Sequence, residues 1–242
     1  MHTNQTPQRS DLNPSVQRAG FTLVEIMAVM MVIAILLSVA AVGIQNIDRG
    51  QATTTALSVT ESLFDEARSA AVGRGTRARL LIHKELNDEE LDDRERYLSY
   101  MCVAVESTNR EGDVQGAGWE VITRGTKLPS GVYFSPEESE RVSDSIGVGK
   151  AGTMRIDLPG SGSNGADSFK ECYYFEFNAE GVCVDSDNDG LEPGAAVVLI
   201  SGTRPRNVEE PKLVKNNKVG FVVWRNGRTS IFRSPEQIDL AR

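Results

Sequence analysis

Residues 18–44 read RAGFTLVEIMAVMMVIAILLSVAAVGI. From Ile26 to Ile44 there are 19 residues, and only Ser38 among them has a polar side chain. As a helix this run spans roughly 30 Å, about the hydrocarbon thickness of a bilayer. At its head sits a single carboxylate, Glu25. Burying such a charge in lipid costs on the order of a few kcal/mol, so it demands a partner. The first 20 residues are polar and contain Pro7 and Pro14, an odd opening for an ordinary secretory signal. A cut between Gly20 and Phe21 supplies the partner. The new α-amine of Phe21 lies about one helical turn from Glu25. It can pair with the carboxylate of a neighbouring subunit when helices pack side by side.

Beyond Gln45-Asn46-Ile47-Asp48-Arg49-Gly50 a helical pattern resumes. Leu57, Leu63, Phe64, Ala67, Ala70 and Ala71 recur at helical spacings and mark one apolar face. The spacing predicts a helix from about Thr53 to Val72, ended by Gly73 and Gly75, with Arg68 and Arg74 near its C-terminal end. The expectation is one long helix, apolar all round in its first half and amphipathic in its second.

After Gly75 the pattern changes to strands. Arg77 to His83, Tyr97 to Glu106, Trp119 to Thr123, Val132 to Ser135, Met154 to Leu158, Cys172 to Phe177 and Ala195 to Ser201 all read as β. Leu128-Pro129-Ser130-Gly131 reads as a turn and Pro159 to Asp167 as a loop. Val219 to Trp224 and Thr229 to Arg233 flank Arg225-Asn226-Gly227-Arg228, and Asn-Gly between apolar runs signals a hairpin. Lys84 to Arg96 holds seven acidic and three basic residues and reads as a solvated loop with at most a short helical turn. Thr203 to Lys218 reads as an extra loop. The sum is one N-terminal helix and seven to nine strands. The fold class expected is α+β: a long N-terminal helix, transmembrane in its first half, whose amphipathic second half packs on an antiparallel β-sheet domain. The boundaries expected are a leader at 1–20, a transmembrane helix at 21–50 and an α+β domain at 51–242.

Arg18-Ala19-Gly20-Phe21-Thr22-Leu23-Val24-Glu25 resembles the processing site of type IV prepilins and of type II secretion pseudopilins. The resemblance implies cleavage after Gly20 by a prepilin peptidase and N-methylation of Phe21. It also implies recruitment through Glu25 into a helical filament. Further on, Phe64 to Gly75 followed by the strand Arg77 to His83 is similar to the H-type minor pseudopilins, relatives of the FimT-like minor pilins. Trp119-Glu120-Val121, Leu128 to Val132, Phe177 to Gly181 and Gly227-Arg228 continue that pattern in order. The acidic segment and the extra loop depart from the shorter major pseudopilins and suit a minor subunit. The resemblance implies a single-pass inner-membrane protein with a periplasmic C-terminal domain. Its partners are then other pseudopilins, the prepilin peptidase and an inner-membrane assembly platform. Two functional readings follow: a pseudopilus subunit that helps export folded proteins, or a minor type IV pilin acting in pilus assembly, adhesion or DNA uptake.

The remaining signals are weaker. Net charge is −8, which suits an exported domain and not a nucleic-acid binder. Asp185, Asp187 and Asp189, followed by Gly190, read either as the first half of a calcium loop or as an acidic turn. The twelfth position of such a loop is Ala196, not a carboxylate. No other cofactor is expected. Cys102, Cys172 and Cys183 form no CxxC pair. An oxidising compartment invites a disulfide between Cys172 and Cys183, with Cys102 as an alternative partner, yet a hairpin register that faces Cys183 with Glu176 leaves Cys172 out of reach. No nucleophile motif, phosphate loop or catalytic carboxylate pair is present, so no enzyme is expected. His83, the one histidine beyond the leader, is expected at a surface or edge.

Overall fold

The computed structural model describes residues 21–86, 91–107, 118–159, 169–184, 193–204, 210–232 and 235–240, without the side chains of 39–49, 91, 92, 215, 235, 239 and 240. It divides into two compact units, Met1–Gln45 and Asn46–Arg242. Helix α1 (Leu23–Arg74) contributes to both.

Within the larger unit, α1 buries Thr53, Ala56, Leu57, Thr60, Leu63, Phe64, Ala67 and Ala71. These recur every three or four residues, the spacing of one helical face. Gly75 ends the helix in the left-handed region at φ 63°. There the Thr76 N–H donates to the Ala71 carbonyl and the Gly75 N–H to the Val72 carbonyl. This pair of bonds closes orphan carbonyls of the last turn, and only glycine enters that conformation at no steric cost.

The chain then builds two antiparallel sheets. In the larger, β1 (Ala78–His83) lies between β2 (Tyr100–Glu106) and β7 (Phe169–Phe177). Strands β3 (Trp119–Val121) and β4 (Thr126–Lys127) pair with β2, while β6 (Gly152–Asp157) and β8 (Cys183–Val184) pair with β7. The smaller runs β5 (Val132–Phe134), β9 (Gly194–Thr203), β10 (Lys212–Trp224) and β11 (Thr229–Phe232). The main core joins the buried face of α1 to one face of each sheet. Phe64 is its hub, with ring centroids 5.2, 6.0 and 5.1 Å from Phe175, Phe177 and Phe221. The expected α+β architecture, a helix packed on antiparallel sheet, is the one observed.

Several expectations need correction. Eleven strands occur among the described residues, against seven to nine expected, because β4 and β8 are two-residue pairings too short for a sequence pattern. Helix α3 (Pro136–Ile146) is an addition to the expected elements. Its start is written in Ser135-Pro136-Glu137-Glu138: Ser135 accepts from the Glu138 N–H, and Pro136 opens the helix. With α4 (Pro235–Leu240), α3 covers the second face of the smaller sheet, where Val142 and Ile238 join Ala196, Val198 and Val222. The segment at Thr203 to Lys218 is not all loop, since β10 begins at Lys212 and reaches Lys218 across a bulge. Positions 205–209 lie outside the described residues.

The two hairpin turns nearest the helix end are fastened by one side chain. Arg68 donates from Nε to the Gly181 carbonyl (3.1 Å) and from its terminal nitrogens to the carbonyls of Gly227 (3.4 Å) and Asn226 (3.3 Å). Both glycines have positive φ, and a Cβ on Gly227 would collide with the Arg68 guanidinium. Arg68 therefore ties a turn of each sheet to α1.

Candidate functional site

Thr22 and Glu25 form the first turn of α1. The Thr22 hydroxyl oxygen accepts from the Glu25 N–H at 3.3 Å, and the Glu25 carboxylate accepts from the Thr22 N–H at 3.4 Å. This is a reciprocal capping box, in which each side chain satisfies a backbone donor the helix leaves without a partner. It fixes Glu25 close to the chain's cleavage candidate, beside Phe21. Negative charge is also favoured here by the positive end of the helix dipole.

Behind the cap, the described side chains from Phe21 to Ser38 are exposed throughout. Phe21 is 82% exposed, Leu23 76% and Met31 69%. Glu25 is the only charge in the stretch. Apolar surface of this extent needs a covering, by lipid or by other chains. Among the described residues no helix is long and apolar enough to cross a membrane. The apolar run continues in sequence through Val39 to Ile44, whose side chains lie outside that description.

Residues 16–41 match the prokaryotic N-terminal methylation motif. The segment is type IV prepilin-like, a motif that implies processing by a prepilin peptidase, membrane anchoring through the N-terminal segment and assembly with other pilin subunits. The methylation motif ends inside the apolar run and takes in none of the β-rich unit. No curated protein and no solved structure matches the chain.

Other sequence candidates fare differently. Phe21 and Glu25 stand in the capped turn just described; Gly20 lies outside the described residues. So do Asp185, Asp187 and Asp189. Among the described residues no cluster of three or more His, Cys, Asp or Glu is arranged to hold a metal.

All three cysteines are buried thiols, and none is in a disulfide. Cys183 pairs with Phe177, one position away from the expected register, because the turn from Asn178 to Val182 is one residue wider. It sits in the core shared with α1, whereas Cys102 and Cys172 belong to the cluster on the opposite face of the larger sheet. Those two stand on β2 and β7 with β1 between them. Two strand spacings, about 9–10 Å, exceed the reach of a disulfide. Burial pushes the Cys102 thiol up to about 12, with the Arg96 cation opposing, and raises Cys172 well above the usual thiol range. Both thiols are therefore poor nucleophiles.

The polar group that sequence reasoning missed is a buried one. His83 is not at an edge: β1 is flanked by β2 and β7, and the side chain is buried. Asp93, in the segment expected to be solvated, lies on α2 (Leu91–Arg96) and is buried too. Lys170 on β7 completes the set, with Nζ 2.6 Å from Asp93 Oδ2. His83 Nε2 lies 3.3 Å from Asp93 Oδ1, but the pair is not aligned as a hydrogen bond. Burial, then the cations of Arg96 and Lys170, push His83 down to about 4, so it is neutral at neutral pH. The signal lies in the sequence as Asp92-Asp93-Arg94 beside Leu91, but no local pattern says that an acidic turn will fold under a sheet.

Proposed function

We propose that this chain is a minor pseudopilin of a type II secretion system, of the H-type and FimT-like group. Cleavage after Gly20 frees the Phe21 amine, which is then methylated. The subunit is held in the inner membrane by its apolar helix, with the β-rich unit in the periplasm. It joins a short filament that helps drive folded proteins across the outer membrane. Its chemistry is assembly and not catalysis.

The observation that carries this reading is the exposed apolar stretch from Phe21 to Ser38, headed by the capped carboxylate of Glu25. Capping offsets part of the cost of a lone carboxylate in lipid, and a cation beside it would offset more. The Phe21 amine of a neighbour, created by processing, is such a cation. The minor-subunit assignment is supported by segments that lengthen the β-rich unit, including α2 and the extended β10.

The test is purification of the full-length chain in mild detergent from its own host, with mass spectrometry of what accompanies it. Secretion pseudopilins in the eluate are the expected result. Recovery with subunits of a retractile pilus instead would assign it to pilus assembly.

A further inference from the structure

The proposed function makes no use of the cluster beneath α2. Lys170 is 3% exposed and Asp93 2% exposed. Their contact of 2.6 Å between Nζ and Oδ2 is shielded from water, and Asp93 Oδ1 faces the neutral imidazole of His83. Apolar side chains line the sheet beside the pair, while the Arg96 cation of α2 acts on His83. Lys170 pairs across the sheet with Ile156, and His83 with Cys172. Ile156, Cys172, Leu81 and Leu158 form one buried cluster on this face. An ion pair placed there has surrendered the hydration of both charges, a cost its mutual attraction often fails to repay. Neither ring nitrogen of His83 has a hydrogen-bond partner among the described residues, and a buried polar group left in that state calls for an explanation.

We infer that Lys170 and Asp93 join in an intramolecular isopeptide bond, with His83 as the catalytic group beside the reacting carboxyl. A proton first passes from the Lys170 ammonium to Asp93 Oδ2, leaving an amine and a carboxylic acid, which apolar surroundings favour over two charges. The Nζ lone pair then attacks Asp93 Cγ. The His83 ring, with its proton on Nε2, turns to donate to Oδ1, where negative charge develops. A second proton leaves Nζ for Oδ2, the Cγ–Oδ2 bond breaks and one water departs. Oδ1 remains as the amide oxygen, and one hydrogen stays on nitrogen. No oxidant, reductant or co-reactant is consumed. The fold holds the two groups in contact, so the reaction needs no encounter. The product ties α2 to β7 covalently and closes a loop between positions 93 and 170. A subunit that is pulled and assembled gains a unit that cannot open at this seam.

The molecule carries its own control. Lys84 Nζ lies 2.6 Å from Glu171 Oε1, the same separation, but both side chains are partly exposed to water. There the ion pair is solvated and stays an ion pair.

The full-length chain, purified in detergent, is denatured, digested with a protease that does not cut at lysine, and analysed by mass spectrometry. The expected product is a branched peptide holding Asp93 and Lys170, lighter by one water than its two linear parts, with Lys84 and Glu171 unmodified. Lys170→Arg should leave only linear peptides. His83→Gln should lower the cross-linked fraction at least ~10-fold, since a positioned acid–base group contributes roughly 10²–10⁴-fold in rate. Linear peptides from the wild-type chain would overturn the bond. Persistence of the branch in Lys170→Arg would overturn the assignment of the lysine, and full cross-linking in His83→Gln would overturn the role of the imidazole.

Discussion

Residues 23–38 and residues 53–71 are stretches of the same helix, and their apolar side chains meet opposite fates. In the first, Leu23, Val24, Ile26 and their successors stand exposed with no polar stripe between them. In the second, Leu57, Leu63 and Phe64 are buried while Ser58, Asp65 and Glu66 face water. The second stretch packs into the core of the larger unit; the side chains of the first stand exposed among the described residues. A periodic pattern of polar residues marks a helix that will meet one surface and water. Its absence marks a helix that expects no water at all, and there a single carboxylate carries information that surface carboxylates elsewhere do not.

Mutations can separate the two stretches. The largest effect is expected at Gly20. Replacing it with leucine should leave the precursor uncut, seen as a ~2 kDa difference in gel mobility from the retained leader, with the β-rich unit folded as before. Complete processing of that variant would move the cleavage site. Next comes Phe64→Ala, which removes the ring against Phe175, Phe177 and Phe221. It should destabilise the larger unit by about 3–5 kcal/mol in denaturant unfolding and leave cleavage untouched. A loss under about 1 kcal/mol would mean that the helix is not integral to that core. Smaller again is Arg68→Ala. Three carbonyls of two turns lose their donor, and the expected cost is about 1–3 kcal/mol, with faster amide exchange near Gly181 and Gly227. Unchanged exchange at those turns would reduce the clamp to a surface contact.

Much of the fold is legible in the sequence, for physical reasons that can be named. The helical face from Leu57 to Ala71 and the strands β1, β2, β7 and β9 carry long apolar patterns, and a one-residue error would turn their side chains to the wrong face. The Asn226-Gly227 turn carries its own chemistry: the Asn226 side chain accepts from the Arg228 N–H, and Gly227 takes φ 73°. The illegible parts have little local signature. Helix α3 buries Val142 among polar neighbours, and its start reads in sequence as the end of a strand. The wider turn before Cys183 shifts a register by one. His83 and Asp93 lie ten positions apart, and only the sheet brings them, with Lys170, to one buried place. At the other end, Thr22 and Glu25 are legible as a motif, and the structure shows their mutual capping of α1.

If the exposed half of α1 is an assembly surface governed by Glu25, filaments will report it. The measurement compares the wild-type chain with Glu25→Ala for incorporation into sheared filaments, in cells making both at equal levels. The variant should be cleaved and methylated like the wild type and remain in the membrane. It should be lost from filaments by at least ~10-fold, since an unpaired amine in an apolar interface costs at least about 1.4 kcal/mol. Incorporation of the alanine variant at the wild-type level would contradict a pairing role for Glu25.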